Sequence, residues 1–219
     1  MTNVVDALQA RVSSPKLSEP GPTRSHVETL LRCAVRAPDH GRLKPWRFIV
    51  VEGEGRSALG ELFEKALLAK DANASEQKRD KTKLMPLRAP MVIVAIANVT
   101  TSHKVPVMEQ VIATGVAVQN MQLAAVELGY GAIWRTGDMA TSSVVRNHFA
   151  LEPEDQIVGF LLLIACAFYV FNMSPQPVEN INENNSENQI ESSGTVTTEL
   201  NDNSLILNDN DTQIIKEEV

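Results

Sequence analysis

Residues 107–128 read VMEQVIATGVAVQNMQLAAVEL, and this stretch decides the fold. It contains no proline, and apolar residues occupy most faces of the helix that it would form. Gly129 follows directly, in the position where glycine commonly ends a helix. The pattern therefore predicts a long central helix that is buried on most sides.

Shorter runs on both sides of this helix predict the elements that pack around it. Strands are predicted at 46–51, at 91–97, at 132–135 and from Gln156 or Ile157 onward. Helices are predicted at 3–10, from Thr23 or Ser25 to Ala37 and at 59–67, and a further helix is predicted with its cap near 141–143. The charged residues 70–86 predict a surface segment. Because helices and strands alternate, the sequence indicates a layered α/β or α+β domain.

The second helix has two candidate N-terminal caps. Ser25 and Glu28 have the spacing of a capping box, in which each side chain accepts from a free backbone N–H at the start of the helix. Thr23 is the alternative cap.

Length and composition allow one sizeable core. The chain has 219 residues, of which 43% are hydrophobic, so one domain with an appendage is expected. The net charge of −7 is uneven, because residues 172–219 contain ten acidic residues, one basic residue and ten asparagines. We expect this acidic segment to be a disordered tail. The remaining residues form no basic stripe, which argues against nucleic acid as a partner.

Cysteine usage and the N-terminus favour a cytoplasmic protein. Cys33 and Cys166 are far apart and match neither a zinc spacing nor a disulfide framework. The first fourteen residues lack the basic and apolar regions of a secretory signal.

The most apolar stretch of the chain is residues 157–171, IVGFLLLIACAFYVF. At fifteen residues it is shorter than the roughly 20 that a membrane helix needs, and it lacks basic flanks. The pattern favours a buried strand that continues, at residues 164–171, into a non-native or membrane-seeking extension.

Several chemical motifs can be set aside. The pattern Gly53-x-Gly55-x-x-Ala58 resembles a dinucleotide fingerprint, but no strand ending in an acidic residue follows, so a tight turn is favoured. The four histidines show no metal-ligand spacing. No Ser-His-Asp or Cys-His group is recognisable by spacing, so the sequence predicts no catalytic side chain.

Two basic segments remain as candidate sites. His40 lies in a loop with Arg36, Arg42 and Lys44 nearby, which is either a solvated basic loop or the edge of an anion or cofactor site. Arg11 and Ser13 follow the first predicted helix, where a guanidinium and a hydroxyl could bind a phosphate.

The motifs, taken in order, resemble the compact bacterial NAD(P)H nitroreductases. The resemblance covers residues 2 to about 163. The matching segments are LRCAVRAPDH (31–40) with PWRF (45–48), HKVP (103–106) with Glu109-Gln110, QNMQLAA (119–125) and GAIWRTG (131–137).

This resemblance implies an α+β homodimer with a central, mostly antiparallel sheet and two FMN sites at the subunit interface. It assigns the FMN phosphate to Arg11 and Ser13, with Val12 contributing its main chain. Arg36 and His40 are expected from the partner subunit. The later FMN-contacting segment corresponds to Trp134, Arg135 and Thr136. The segment assigned to the nicotinamide cofactor corresponds to Ala124, Ala125, Val126, Glu127, Leu128 and Gly129.

The implied activity is a ping-pong reaction in which NAD(P)H reduces FMN and a nitroaromatic or quinone-like acceptor then takes the electrons. Because the cofactor performs the redox step, no catalytic acid or nucleophile is required. The segment after residue 163 departs from the family pattern. The alternative is therefore a non-catalytic or destabilised fusion product whose tail mediates interactions.

Overall fold

The structure, a computed structural model, describes residues 4–14, 20–165 and 204–205. The helices of these residues are α1 (Val4–Ala10), α2 (Arg24–Ala34), α3 (Gly55–Lys70), α4 (Glu76–Lys83), α5 (Val107–Glu127), α6 (Asp138–Thr141) and α7 (Ser143–His148). The strands are β1 (Trp46–Glu52), β2 (Met91–Ala97), β3 (Tyr130–Arg135), β4 (Gln156–Ala165) and β5 (Ser204–Leu205). Two 3₁₀ turns lie at His40–Arg42 and Pro86–Arg88.

The strands form one sheet in the order β3-β4-β2-β1-β5, and neighbouring strands are antiparallel. β2 lies in the middle, and all seven of its residues are buried. Strands buried on both faces read as continuous apolar runs, which is why 91–97 could be recognised from the sequence. The antiparallel sheet with helices on both faces confirms the α+β expectation.

Two apolar cores fill the space between the sheet and its helices. α2 and α5 cover one face, where Leu30, Phe48, Ile93, Met121 and Leu161 are fully buried. α3, α6 and α7 cover the other face, where the rings of Phe63 and Phe160 meet edge to face with centroids 5.1 Å apart. The α5 residues Ala117, Val118, Met121 and Ala125 have no exposed surface, so the predicted central helix is confirmed.

The start of α2 differs from the predicted capping box. Thr23 is the N-cap, and its hydroxyl accepts from the His26 backbone N–H at 3.4 Å. Ser25 lies one residue inside the first helical residue, so it cannot cap the end, and Glu28 pairs instead with Arg24 at 3.3 Å. The capping box is therefore wrong and the Thr23 alternative is confirmed. The helix also ends at Ala34, three residues before its predicted stop.

Part of the predicted charged surface segment is a helix, α4. Ser75 caps it by accepting from the Lys78 N–H at 3.4 Å. Ion pairs join Lys78 to Asp71 at 2.9 Å and Arg79 to Glu64 at 2.8 Å. Thr82 is the buried residue of α4, so the helix has no apolar stripe and periodicity could not reveal it.

At the C-terminal end of the domain, Ile164 and Ala165 belong to β4 and pair with Gly131 and Tyr130 of β3. Residues 166–203 and 206–219, which hold the rest of the predicted extension and most of the predicted tail, lie outside the described residues. Ser204 and Leu205 pair with Val51 and Val50 at the edge of β1.

Candidate functional site

The loop that carries His40 is fixed by its own backbone and by one acidic side chain. The Asp39 carboxylate accepts from the N–H groups of Leu43 at 3.1 Å and Lys44 at 2.7 Å. Gly41 has φ +79°, and a Cβ there would lie 3.0 Å from the His103 ring and 3.1 Å from Val105. Glycine suits this left-handed turn, since a larger side chain would crowd His103 and Val105.

His40 projects from this loop towards the first turn of α5. Its Nδ1 lies 2.6 Å from Oε2 of Glu109, and the two side chains are 63% and 48% exposed. Arg36 lies between α2 and this loop and is also exposed. The structure therefore presents Arg36 and His40, two of the predicted site residues, to solvent, and His40 lies at the N-terminal end of α5.

The N-terminal half of α5 holds the neighbouring loops in place. Gln110 is 2% exposed, and its amide accepts from the Thr100 N–H at 2.8 Å and donates to the Val105 carbonyl at 3.2 Å. The Thr114 hydroxyl donates to the Pro45 carbonyl at 2.7 Å. These buried hydrogen bonds tie the segment before α5 and the segment before β1 to one helix.

Arg11, Val12 and Ser13 lie at the other end of α5, beside the outer edge of β3. Ser13 forms an isolated parallel bridge with Ala132, and the Ser14 N–H donates to the Ala132 carbonyl at 3.2 Å. A Cβ on Gly131 would lie 2.7 Å from the Ser14 hydroxyl oxygen, so the two backbones approach closely. Arg11 is half-buried, whereas Val12 and Ser13 are exposed.

A concavity of about 60 Å³ lies beside this segment. Its lining consists of Ala10, Arg11, Val12 and Ser14, of Gln122 and Val126 from α5, and of Tyr130, Gly131 and Ala132. The end of α5 thus adjoins the Arg11 segment through Val126. Among the other residues predicted for the nicotinamide, Ala125 and Gly129 are buried, Ala124 and Leu128 are half-buried, and Glu127 is exposed.

The two ends of α5 separate the predicted site residues into two groups. His40 contacts α5 at Glu109, and the Arg11 concavity contacts it at Gln122 and Val126. At 1.5 Å per residue these contacts are about 20–25 Å apart along the helix. One chain therefore does not bring His40 together with Arg11 and Ser13.

The segment Trp134 to Thr136 spans both faces of the sheet. Trp134 packs against the core under α5, and its indole N–H donates to the Val158 carbonyl at 3.1 Å. Arg135 and Thr136 border a separate cavity of about 180 Å³ on the opposite face, next to Phe63 and Ile133. The side chains of this segment are predicted to contact one cofactor, but they thus lie on opposite faces of the sheet.

Among the residues that the structure describes, two carboxyl groups have a lowered pKa, and neither belongs to these groups of site residues. A hydrogen bond from Lys70, 2.8 Å long, together with the charge of Lys70, lowers the pKa of Asp138 at the start of α6. A hydrogen bond from Lys78 likewise lowers the pKa of Asp71.

Within residues 4–14 and 20–165, no three His, Cys, Asp or Glu side chains form a group that could hold a metal ion. In the same part of the chain, no helix has the length and apolar character needed to cross a membrane.

Sequence reasoning missed the direct contact of Glu109 with His40. The two residues are 69 positions apart, and no local pattern joins them. The available signal was the resemblance itself, since Glu109-Gln110 is one of its matching segments.

Known proteins resemble the chain in sequence and in fold. YdjA of Escherichia coli K12, which bears the name of an NAD(P)H nitroreductase, is 43% identical over 162 residues, covering 73% of this chain and 87% of that protein. A nitroreductase-like family protein from Bacillus cereus has the same fold, with a TM-score of 0.64 and 22% identity over 88% of this chain and 92% of that chain. An FMN-bound nitroreductase from Bacteroides fragilis aligns with a TM-score of 0.58 and 17% identity over 85% of this chain and all of that chain.

The segment that a protein-family model matches has nearly the same bounds as the domain seen in the structure. The model described as the nitroreductase family aligns with residues 8–164, from α1 to the last residues of β4. This confirms the resemblance found from the sequence and the prediction of an enzyme domain of that type. The chain belongs to the nitroreductase family.

Proposed function

We propose that the chain is one subunit of a homodimeric, FMN-dependent oxidoreductase of the cytoplasm that uses NAD(P)H to reduce nitroaromatic or quinone-like acceptors in a ping-pong cycle. The observation that carries the proposal is the separation of His40 from the Arg11 concavity, which lie at opposite ends of α5.

A two-fold axis that crosses the middle of α5 would exchange the two ends of the helix. The Arg11 concavity of one chain would then face the partner's Arg36 and the partner's His40. A symmetric dimer of this kind contains the same composite site twice. This arrangement matches the division of FMN contacts between two subunits that the sequence implies.

The donors at the Arg11 concavity suit a phosphate monoester. The guanidinium of Arg11, which lines the concavity, can form two parallel charge-assisted hydrogen bonds. Ser13 is exposed and lies outside the lining, next to Ser14, and we propose that its hydroxyl donates a third. The partner's His40 would add a ring nitrogen that can form a hydrogen bond, from a loop whose backbone the Asp39 carboxylate holds. These residues therefore fit FMN by the chemistry of their donors.

Bound FMN supplies the redox chemistry, accepting a hydride from the nicotinamide and passing electrons to the acceptor. Arg11 and Ser13 bind its phosphate in this proposal, and Val12 provides main-chain contact. Arg36 places positive charge at the interface, where it favours an anionic cofactor, and His40 adds a ring nitrogen for a hydrogen bond. The Ala124–Gly129 segment, next to the same concavity, is the proposed nicotinamide contact, and Trp134, Arg135 and Thr136 complete the FMN contacts.

FMN binding is the decisive test. We expect the purified protein to be yellow, or to become so when titrated with FMN, and to be bleached by NAD(P)H. Arg11→Ala should weaken FMN binding by roughly 10- to 100-fold, because a charged donor to the phosphate is lost. Arg79→Ala, which removes an arginine of α4 that pairs with Glu64, is the matched control and should leave the affinity unchanged. Protein that neither contains nor binds FMN would contradict the proposal and favour the non-catalytic alternative.

A further inference from the structure

We propose that Glu109 is a positioning residue that fixes the ring of His40 for the flavin site of the partner subunit. This inference rests on the proposed function, because it assigns His40 to that site. The observation behind it is the 2.6 Å contact between the Glu109 carboxylate and Nδ1 of His40.

The contact determines which ring nitrogen faces outward. A carboxylate accepts from Nδ1–H, so the neutral ring is held in the tautomer that carries its proton on Nδ1. Nε2 is then the free nitrogen, and its direction is set by the Nδ1 hydrogen bond. Carboxylates orient functional histidines in this way at many sites.

Both partners are attached to rigid backbone. Gln110 and Thr114 lie after Glu109 in α5, and they form buried hydrogen bonds to Val105 and Pro45. On the other side, the Asp39 carboxylate fixes the loop that carries His40. The rotation of the His40 side chain is then the main freedom left, and the Glu109 contact restricts it.

The exposure of the pair argues against a role in holding the fold together. The side chains are 63% and 48% exposed, and ion pairs at such positions contribute little to stability. The contact also lies at the end of α5 that the two-fold arrangement brings to the Arg11 concavity of the other subunit. Even where such a contact contributes little to folding, it still orients the His40 ring.

The first experiment needs no bound FMN. Ring ¹⁵N chemical shifts of His40, measured on the protein without FMN at a pH where the ring is neutral, report the tautomer. We expect the proton on Nδ1 in the wild type. In Glu109→Ala the ring should shift towards the Nε2–H form that free histidine prefers. The same tautomer in both proteins would overturn the proposal.

The second experiment is a double-mutant cycle on FMN affinity. We expect Glu109→Ala to weaken binding about tenfold, because the Nε2 acceptor, ordered in the wild type, becomes mobile. In the His40→Ala background the same change should cause no further loss. Glu109→Gln should retain most of the affinity, since its amide oxygen still accepts from Nδ1–H. Glu76→Ala, an exposed glutamate in the first turn of α4, is the matched control and should have no effect.

The outcomes separate this proposal from the proposed function. If the wild type binds no FMN, the proposed function fails, and the ¹⁵N shifts still decide whether Glu109 orients His40. If the wild type binds FMN and Glu109→Ala weakens binding equally with and without His40, Glu109 does not act through that ring and the inference is wrong. Unchanged affinity in Glu109→Ala would overturn it as well.

Discussion

Trp134 lies between two glycines, and their environments differ. On one side its indole N–H donates to the Val158 carbonyl at a β-bulge, where the register of β4 against β2 shifts. Gly159 follows the bulged residue with φ +156°. On the other side, the ring approaches Gly115 of α5. The bulge turns the carbonyl towards the indole, and the absence of a side chain at residue 159 makes room for the ring.

A methyl group at residue 159 should therefore be costly. A Cβ there would lie 2.2 Å from Nε1 of Trp134 and 2.7 Å from the Arg135 carbonyl oxygen. Overpacking and backbone strain together lead us to expect that Gly159→Ala lowers the free energy of unfolding by about 3 kcal/mol. Urea unfolding followed by tryptophan fluorescence measures this change.

Gly115→Ala is the matched control for Gly159→Ala. A Cβ at residue 115 would meet the Trp134 ring at 3.6 Å, an ordinary contact. Alanine is also the better helix former, so this variant should be unchanged or up to about 1 kcal/mol more stable. Equal stability of the two variants would show that Trp134 does not occupy the space at residue 159.

At the scale of elements, α2 begins at a single capping hydroxyl. Thr23→Ala removes the acceptor of the His26 N–H, and we expect it to reduce the free energy of unfolding by about 1 kcal/mol. Ser25→Ala changes a hydroxyl within the first turn and should reduce it by less than about half as much. Thermal or urea unfolding compares the two. A larger loss in Ser25→Ala would identify Ser25 as the cap after all.

The comparison of α4 with α5 explains which elements the sequence could predict. α5 was predicted to within a residue, because a long apolar pattern ends at a glycine with φ +79°. α4 was missed, because Thr82 is its buried residue and the helix shows a serine cap and ion pairs with Asp71 and Glu64 instead of an apolar face. Local apolar periodicity in the sequence reflects the burial of one face of an element, whereas contacts between separate elements produce no such pattern.

The same limit applies to the candidate site. The resemblance named Arg11, Ser13, Arg36 and His40 by their residue types. The separation of His40 from Arg11 and Ser13 depends on how the loop before β1 and the segment after α1 pack on α5. The contact between Glu109 and His40 also depends on how separate elements pack, so no local sequence pattern predicts it.

At the scale of the whole molecule, exposed apolar side chains gather at both ends of the proposed interface. Leu8 of α1 and Val12 are 51% and 64% exposed near the Arg11 concavity. Met108 and Ile112, one turn apart at the other end of α5, are 66% and 56% exposed. Exposed apolar groups of this kind mark interaction surfaces when they cluster. A two-fold axis through α5 would place each group against the other chain.

Interface formation and cofactor binding should therefore be lost together. Ile112→Asp places a charge where the proposed dimer is apolar, and we expect at least a 100-fold weaker dimer. Light scattering coupled to size-exclusion chromatography would show a monomer at micromolar concentration, and bound FMN should fall in parallel because each site needs both chains. Leu84→Asp is the control, since Leu84 is 54% exposed at the end of α4, away from α5. A monomeric Ile112→Asp protein that keeps full FMN affinity would show that one chain holds the cofactor, and a dimer unaffected by the charge would place the interface on another surface.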